Sequence, residues 1–156
     1  MLPPLLRLNY PLDKAALLAE AYKAKEVAKA FNEPRPENPN RKPQDYFKIS
    51  QWTSPYIEQI MVDLNVTGKP RFYFQDAFSE LKMHTDINTL CSVNMVLSDD
   101  PSPITFEDGI QYYEQALLNV QVPHAVLNGP NSRILFKISI FDETFEQVAA
   151  KINYKV

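Results

Sequence analysis

A single cysteine, Cys91, leaves this 156-residue chain no partner for an internal disulfide, and a protein without disulfides belongs naturally in a reducing compartment such as the cytoplasm. No stretch approaches the roughly 18 consecutive apolar residues that a membrane-spanning helix needs. The opening "MLPPLLRLNYPLDKAALLAEA" does not have the form of a secretory signal. Pro3, Pro4 and Arg7 break its short apolar run, and Asp13 and Glu20 follow closely. Lysine and arginine form no cluster interleaved with aromatics, and the formal net charge is -3, which speaks against a nucleic-acid partner. Repeats and low-complexity tracts are absent. Histidine is scarce as well: His84 and His124 are the only two, so what they do carries unusual weight.

What the chain does have is a core. Apolar residues make up 45% of it and aromatics 12%, enough for one globular domain spanning residues 1–156. Residues 12–30 read as an amphipathic helix, with Leu17, Leu18, Ala21, Tyr22 and Val27 near one stripe and Lys23, Lys25 and Lys29 off it. In "FNEPRPENPNRKPQDY", residues 31–46, Pro34, Pro36, Pro39 and Pro43 exclude a helix or a central strand. A second helix restarts at Ser54 as N-cap, with Pro55 in its first turn. From about residue 70 the chain changes character. Seven short runs rich in Val, Ile, Phe and Tyr follow, from "RFYFQDAF" to "SRILFKISIF", mostly separated by turn signals such as "SDDPSP", "EDG" and "NGPNS". "DETFEQVAAKI" closes the chain as a helix capped by Asp142. The expectation is a mainly β protein: an antiparallel sandwich or jelly roll over about 70–141, buttressed by a helical N-terminal region, 1–69, and a C-terminal helix at about 142–153.

The stretch "LKMHTDIN" places His84 two residues before Asp86. In an extended strand the two side chains share a face with Lys82 and Asn88, while Leu81, Met83, Thr85 and Ile87 face the other way. His124 lies in a later predicted strand, and antiparallel pairing can bring it beside His84. Two imidazoles and one carboxylate make a facial triad that suits non-heme Fe(II) and leaves coordination positions open. Nine residues after His124, Arg133 begins the last strand. Ile134, Phe136, Ile138 and Ile140 form one apolar face of that strand, so Arg133, Leu135, Lys137 and Ser139 look into the opposite face. A guanidinium there is suited to a two-pronged, charge-assisted bond to a carboxylate.

The "HTD" motif, a single later histidine and an arginine nine residues beyond it in a final apolar strand together resemble the Fe(II)- and 2-oxoglutarate-dependent oxygenases, over roughly residues 71–141. "PHAVLNGPNSRILF" is also similar, more loosely, to the branches that hydroxylate prolyl or aspartyl/asparaginyl groups. The resemblance implies a double-stranded β-helix in which His84, Asp86 and His124 bind iron and Arg133 anchors the far carboxylate of the 2-oxoglutarate cosubstrate. It implies a dioxygenase that hydroxylates an amino acid, a peptidyl residue or a small metabolite, releasing succinate and CO2.

Further residues have two readings each. Asn94 shares a face with Ser92, Val96 and Ser98, and either bonds a carboxylate in a polar cavity or faces solvent. Tyr73 either contacts the cosubstrate or is a core tyrosine with a satisfied hydroxyl. Asn88 and Asn128 either orient the histidines or serve turns, and Ser139 either assists the arginine or fills the wall. Trp52, with Arg35 and Arg41 of the proline-rich loop, either forms a substrate lid or lies on a static surface excursion. Cys91 reads as a small buried hydrophobe, since no third histidine is present to serve as its base. Two other functional classes remain: a cupin-type epimerase or isomerase with a His–Asp pair as general base, and a non-catalytic jelly-roll module.

Overall fold

The computed structural model describes residues 2–31, 44–99 and 102–156. In chain order its elements are β1 (Leu5–Arg7), α1 (Lys14–Lys25), β2 (Lys29–Phe31), β3 (Gln44–Gln51), α2 (Pro55–Leu64), β4 (Lys69–Gln75), β5 (Glu80–His84), β6 (Cys91–Val96), β7 (Ser102–Phe106), β8 (Gly109–Tyr113), β9 (Gln115–Leu118), β10 (His124–Leu127), β11 (Arg133–Ile140) and α3 (Phe145–Lys151).

The strands form two antiparallel sheets. The larger runs β1-β9-β6-β11-β4-β3-β2 and the smaller β5-β10-β7-β8. Their inner faces enclose a cluster that includes Tyr73, Val96, Phe106, Tyr113, Leu118 and Leu135. The outer face of the large sheet carries the main core. There Phe72, Val93, Phe136 and Ile138 pack with Leu17, Ala21 and Ala24 of α1, with Ile57, Ile60 and Leu64 of α2, and with Val148 of α3. The alternation expected of β11 sets this division: Phe136, Ile138 and Ile140 face the helices, whereas Arg133, Leu135 and Lys137 face the space between the sheets. The jelly roll with helices on one outer face is therefore what the chain builds.

Several boundaries differ from expectation. The first helix spans Lys14–Lys25 rather than 12–30. Its buried stripe is Leu17, Ala21 and Ala24, while Tyr22 and Val27 are exposed. Beyond it the chain turns back, and Lys29–Phe31 pairs with β3 as an edge strand. Region 1–69 is thus not purely helical: β1, β2 and β3 extend the large sheet at both edges. "YYEQALLNVQV" divides at Glu114 into β8 and β9, which lie in different sheets. The final helix is capped by Thr144, not Asp142, through a capping box with Gln147. Ser54 caps α2 as expected, accepting from the Ile57 amide. At the α2–β4 turn only glycine fits: a Cβ on Gly68 would collide with the Ser139 carbonyl oxygen. Most of the proline-rich loop, Arg35 and Arg41 included, lies outside the described residues. Among the described residues, no helix is long and apolar enough to cross a membrane.

Candidate metal centre

His84 ends β5 and His124 begins β10, and the two are directly paired across the antiparallel ladder. The next paired positions are Leu81 and Val126, three residues back on β5 against two forward on β10. That extra residue is a bulge, a device that re-aims side chains beside functional sites. It breaks the simple alternation expected of 81–88. Leu81 packs against the inner cluster although strict period two would turn it away from His84. Asp86 follows on a clamped turn: its amide donates to the Val120 carbonyl at 3.0 Å. The Gln121 side-chain amide donates to the carbonyls of Asp86 at 3.0 Å and Thr89 at 2.6 Å. The same segment, three to four residues before His124, therefore holds the carboxylate in place.

The imidazoles are oriented by their own backbone. Nδ1 of His84 lies 2.7 Å from the Lys82 carbonyl oxygen, and Nδ1 of His124 lies 2.9 Å from that of Val122. A carbonyl only accepts, so each Nδ1 carries the hydrogen and each neutral ring keeps its lone pair on Nε2. Both lone pairs converge on one carboxylate oxygen. Asp86 Oδ1 is 3.3 Å from His84 Nε2 and 3.4 Å from His124 Nε2. Three ligands at right angles, about 2.1 Å from a common ion, would stand roughly 3 Å apart. Among the described residues this is the one group of three or more His, Cys, Asp or Glu side chains whose ligand atoms lie within 4.8 Å of one another. Two nitrogen acceptors against a carboxylate repel unless a cation or a proton lies between them, so the donor set fits a divalent ion.

Burial opposes ionisation of Asp86. Its contacts with His124 and His84, and the charge of Lys137, outweigh that and hold the carboxyl well below the usual carboxylate range. His84 is raised above its ordinary value, chiefly by Asp86 and against the effect of burial. His124 is the buried member of the pair and His84 the partly open one, with side-chain exposures of 7% and 32%.

Arg133 is 5% exposed. It donates through Nη2 to the Tyr113 hydroxyl at 2.9 Å, and its Nε has no partner. The Asn94 amide donates to the same hydroxyl at 3.1 Å and accepts from Ser92 Oγ at 2.9 Å. Asn94 is thus buried in a polar chain that crosses from β6 to Tyr113 on β8 and back to β11, not solvent-facing. Gln75, paired with Arg133 across β4 and β11, has an unpartnered buried Oε1.

Tyr73 is buried on β4. Lys137 Nζ sits 5.3 Å from its ring centre, and Arg71 Nη1 lies 3.4 Å from its hydroxyl. Burial works to raise the Tyr73 phenol, but the charges of Lys137 and Arg71 prevail and lower it. Lys137 Nζ is also 3.9 Å from Asp86 Oδ2. Trp52 packs on the helical side of the large sheet and donates to Glu20 of α1 at 3.2 Å, so it belongs to that face and not to the face bearing the triad. Asn128 secures a turn by donating to the Asp76 carbonyl and Ser79 Oγ, and Asn88 is exposed. Ser139 is buried. Cys91 is buried, its thiol pushed up to about 12 by burial and then by neighbouring acids. The residues that sequence reading passed over are Tyr113, Gln121, Arg71 and Lys137. Only Lys137 had a signal, its place on the Arg133 face of β11.

No protein-family model and no curated protein matches the sequence. Solved structures do. A prolyl-4-hydroxylase from Pseudomonas putida superposes with a TM-score of 0.57 at 15% identity, covering 87% of this chain and 90% of that one. A prolyl hydroxylase from Trichoplax adhaerens, solved with a hypoxia inducible factor peptide fragment, gives a TM-score of 0.62 at 13% identity, covering 94% and 85%. An RmlC-like cupin from Desulfovibrio desulfuricans is a weaker likeness, with a TM-score of 0.41 at 14% identity over 60% of this chain and 81% of that one. At these identities the likeness is one of fold.

Proposed function

We propose that this chain is an Fe(II)- and 2-oxoglutarate-dependent dioxygenase of the cytoplasm that hydroxylates an amino acid, a peptidyl residue or a small metabolite. The observation that carries the cosubstrate assignment is Arg133. Among the described residues no carboxylate lies within ion-pair distance of it; its one hydrogen bond is to a neutral hydroxyl and its Nε is unpartnered. An ionised guanidinium kept in a protein interior without a counter-ion costs several kcal/mol. A ligand carboxylate offsets that cost, and guanidinium geometry favours one held in two-pronged fashion.

The residues have distinct tasks in this reading. His84 Nε2, His124 Nε2 and Asp86 Oδ1 would hold a divalent ion, three protein ligands that leave coordination positions for small ligands. The Lys82 and Val122 carbonyls keep the imidazoles in the tautomer that can ligate. Arg133 binds the far carboxylate of the cosubstrate, with the Tyr113 hydroxyl held by Asn94 against the guanidinium. Val96, Phe106 and Leu135 belong to the apolar cluster between the sheets, which would keep the reacting groups away from bulk water. Iron with 2-oxoglutarate would supply the oxidising power, one atom of dioxygen ending in succinate as CO2 leaves and the other in the hydroxylated product.

The test is anaerobic addition of Fe(II) and 2-oxoglutarate to the purified protein. A weak visible metal-to-ligand absorption is expected, followed by succinate once air is admitted. No absorption and no succinate would return the chain to the cupin-type or non-catalytic readings.

A further inference from the structure

We propose that Lys137 and Arg71 form a subsite for an oxyanion of the substrate, a carboxylate or a phosphate, beside the metal centre; this rests on the metal-dependent reading above and names the substrate's chemistry within it. Lys137 and Arg71 are directly paired across β11 and β4. Both reach the Tyr73 side chain from that pair: Lys137 over the ring, Arg71 toward the hydroxyl. Like charges directly opposite each other across a ladder are destabilising, and such an arrangement is relieved by a shared anion. The described residues offer little of one. Among the described residues, Arg71 has no carboxylate within ion-pair distance, and its contact with Tyr73 at 3.4 Å is long. Lys137 has only Asp86, at 3.9 Å, too far for a hydrogen bond. With Asp86 engaged by a divalent ion, the two cations would have no carboxylate counter-ion among the described residues.

This pair is separate from Arg133. The Arg133 guanidinium is tied to Tyr113 and the Asn94 chain on the far side of Leu135, whereas the Lys137 ammonium lies on Tyr73 next to Asp86. The inner space therefore presents two cationic positions. One is enclosed and suits the cosubstrate. The other is less deeply buried, with a Lys137 side chain 16% exposed, and lies next to the candidate metal ligands. An anionic end held by Lys137 and Arg71, with the Tyr73 hydroxyl as a third donor, would set a substrate's reacting carbon near the ion by charge-assisted bonds.

The probes are acetate and inorganic phosphate, titrated into the full chain and followed by the side-chain NMR signals of Arg71 and Lys137. The protein is loaded with Zn(II), which is diamagnetic, and saturated with 2-oxoglutarate; a parallel series uses metal-free protein. Saturable shifts of both signals are expected. Arg71→Gln or Lys137→Met should weaken the anion by about tenfold, the loss of one charged hydrogen bond, and in Arg71→Gln, which does not touch Asp86, Zn(II) and 2-oxoglutarate affinity should stay nearly unchanged. The stronger of the two probes tells carboxylate from phosphate. If Zn(II) and 2-oxoglutarate bind but neither probe moves the signals, the subsite is wrong while the cofactor reading stands. If both variants lose 2-oxoglutarate instead, the pair anchors the cosubstrate and the proposal is overturned. If Zn(II) does not bind but the anions do, the metal reading fails and the oxyanion subsite survives it.

Discussion

His84 and His124 face each other as paired residues on adjacent strands, their ring centres 4.4 Å apart and tilted by 50°. His124 lies 40 positions after His84 in the chain, yet one ladder contact fixes both rings. Because the ladder and the Gln121 clamp hold the backbone, the three candidate ligands are preorganised for an ion. Ion binding there would not need to order the chain, and its free energy would appear as added stability.

The first prediction follows from that. His84→Ala, Asp86→Ala and His124→Ala should each abolish divalent metal binding while leaving the metal-free fold in place, since none belongs to the helix-side core. In the unsubstituted protein, metal at one hundred times its dissociation constant should stabilise by about 2.7 kcal/mol. Thermal melts with and without Mn(II) check this. The expected shift is present in the parent and absent in all three variants.

The second concerns pH. A proton on His84 Nε2 excludes the ion, and His84 is raised above its ordinary 6.5 by Asp86 against the opposing effect of burial. Metal affinity should therefore fall as pH drops through a value above 6.5, approaching about tenfold per unit for one displaced proton. Metal-free stability has the opposite sign there. A raised pKa gives stability that is complete below the unfolded value and lost as pH rises through the folded one. Asp86, depressed, adds stability present above its ordinary 3.8 and lost as pH falls below it. Calorimetric titration with Zn(II) between pH 6 and 8 measures the affinity slope; a flat profile would remove His84 from the ligand set.

How legible was this in the sequence? Period two on β11 separated Ile134, Phe136, Ile138 and Ile140 from Arg133, and the structure keeps that division because the strand is central in its sheet and regular along its length. The same rule misplaced Leu81, because a bulge is one extra residue with no composition of its own. Tyr113 was hidden because "YYEQALL" reads as one apolar run; only the sheet topology shows that its two halves belong to different layers. The edge strands β1 and β2 are three residues each, too short to display any period. Their pairing is set by the neighbours they meet, not by local propensity.

A third prediction separates anchoring from stability at Arg133. Arg133→Met keeps a side chain of similar reach but removes the charge. Loss of a buried charged pair with the cosubstrate should weaken 2-oxoglutarate by about 2–5 kcal/mol, with metal affinity retained. The metal-free variant should be no less stable than the parent, because the guanidinium it loses has no protein counter-ion among the described residues. Urea unfolding and 2-oxoglutarate titration of the Mn(II) form read the two effects. Unchanged cosubstrate affinity would take the anchor away from Arg133.

The fourth uses the other face of the same strand. Phe136 is fully buried, packs on Phe72 with ring centres 5.4 Å apart, and lies in the cluster joined to the three helices. Phe136→Ala removes that packing and leaves a cavity, so about 3–5 kcal/mol of stability should be lost. Its neighbours in sequence, Leu135 and Lys137, point into the other layer, so no ligating atom contacts the deleted ring. The folded fraction of Phe136→Ala should therefore bind Mn(II) and 2-oxoglutarate with near-parental affinity while its urea midpoint falls sharply. Arg133→Met, three residues away on the opposite face, should show the reverse. A Phe136→Ala protein that kept its midpoint but lost its ligands would mean that β11 does not divide core from site, and the assignment of every inward-facing residue on it would have to be redrawn.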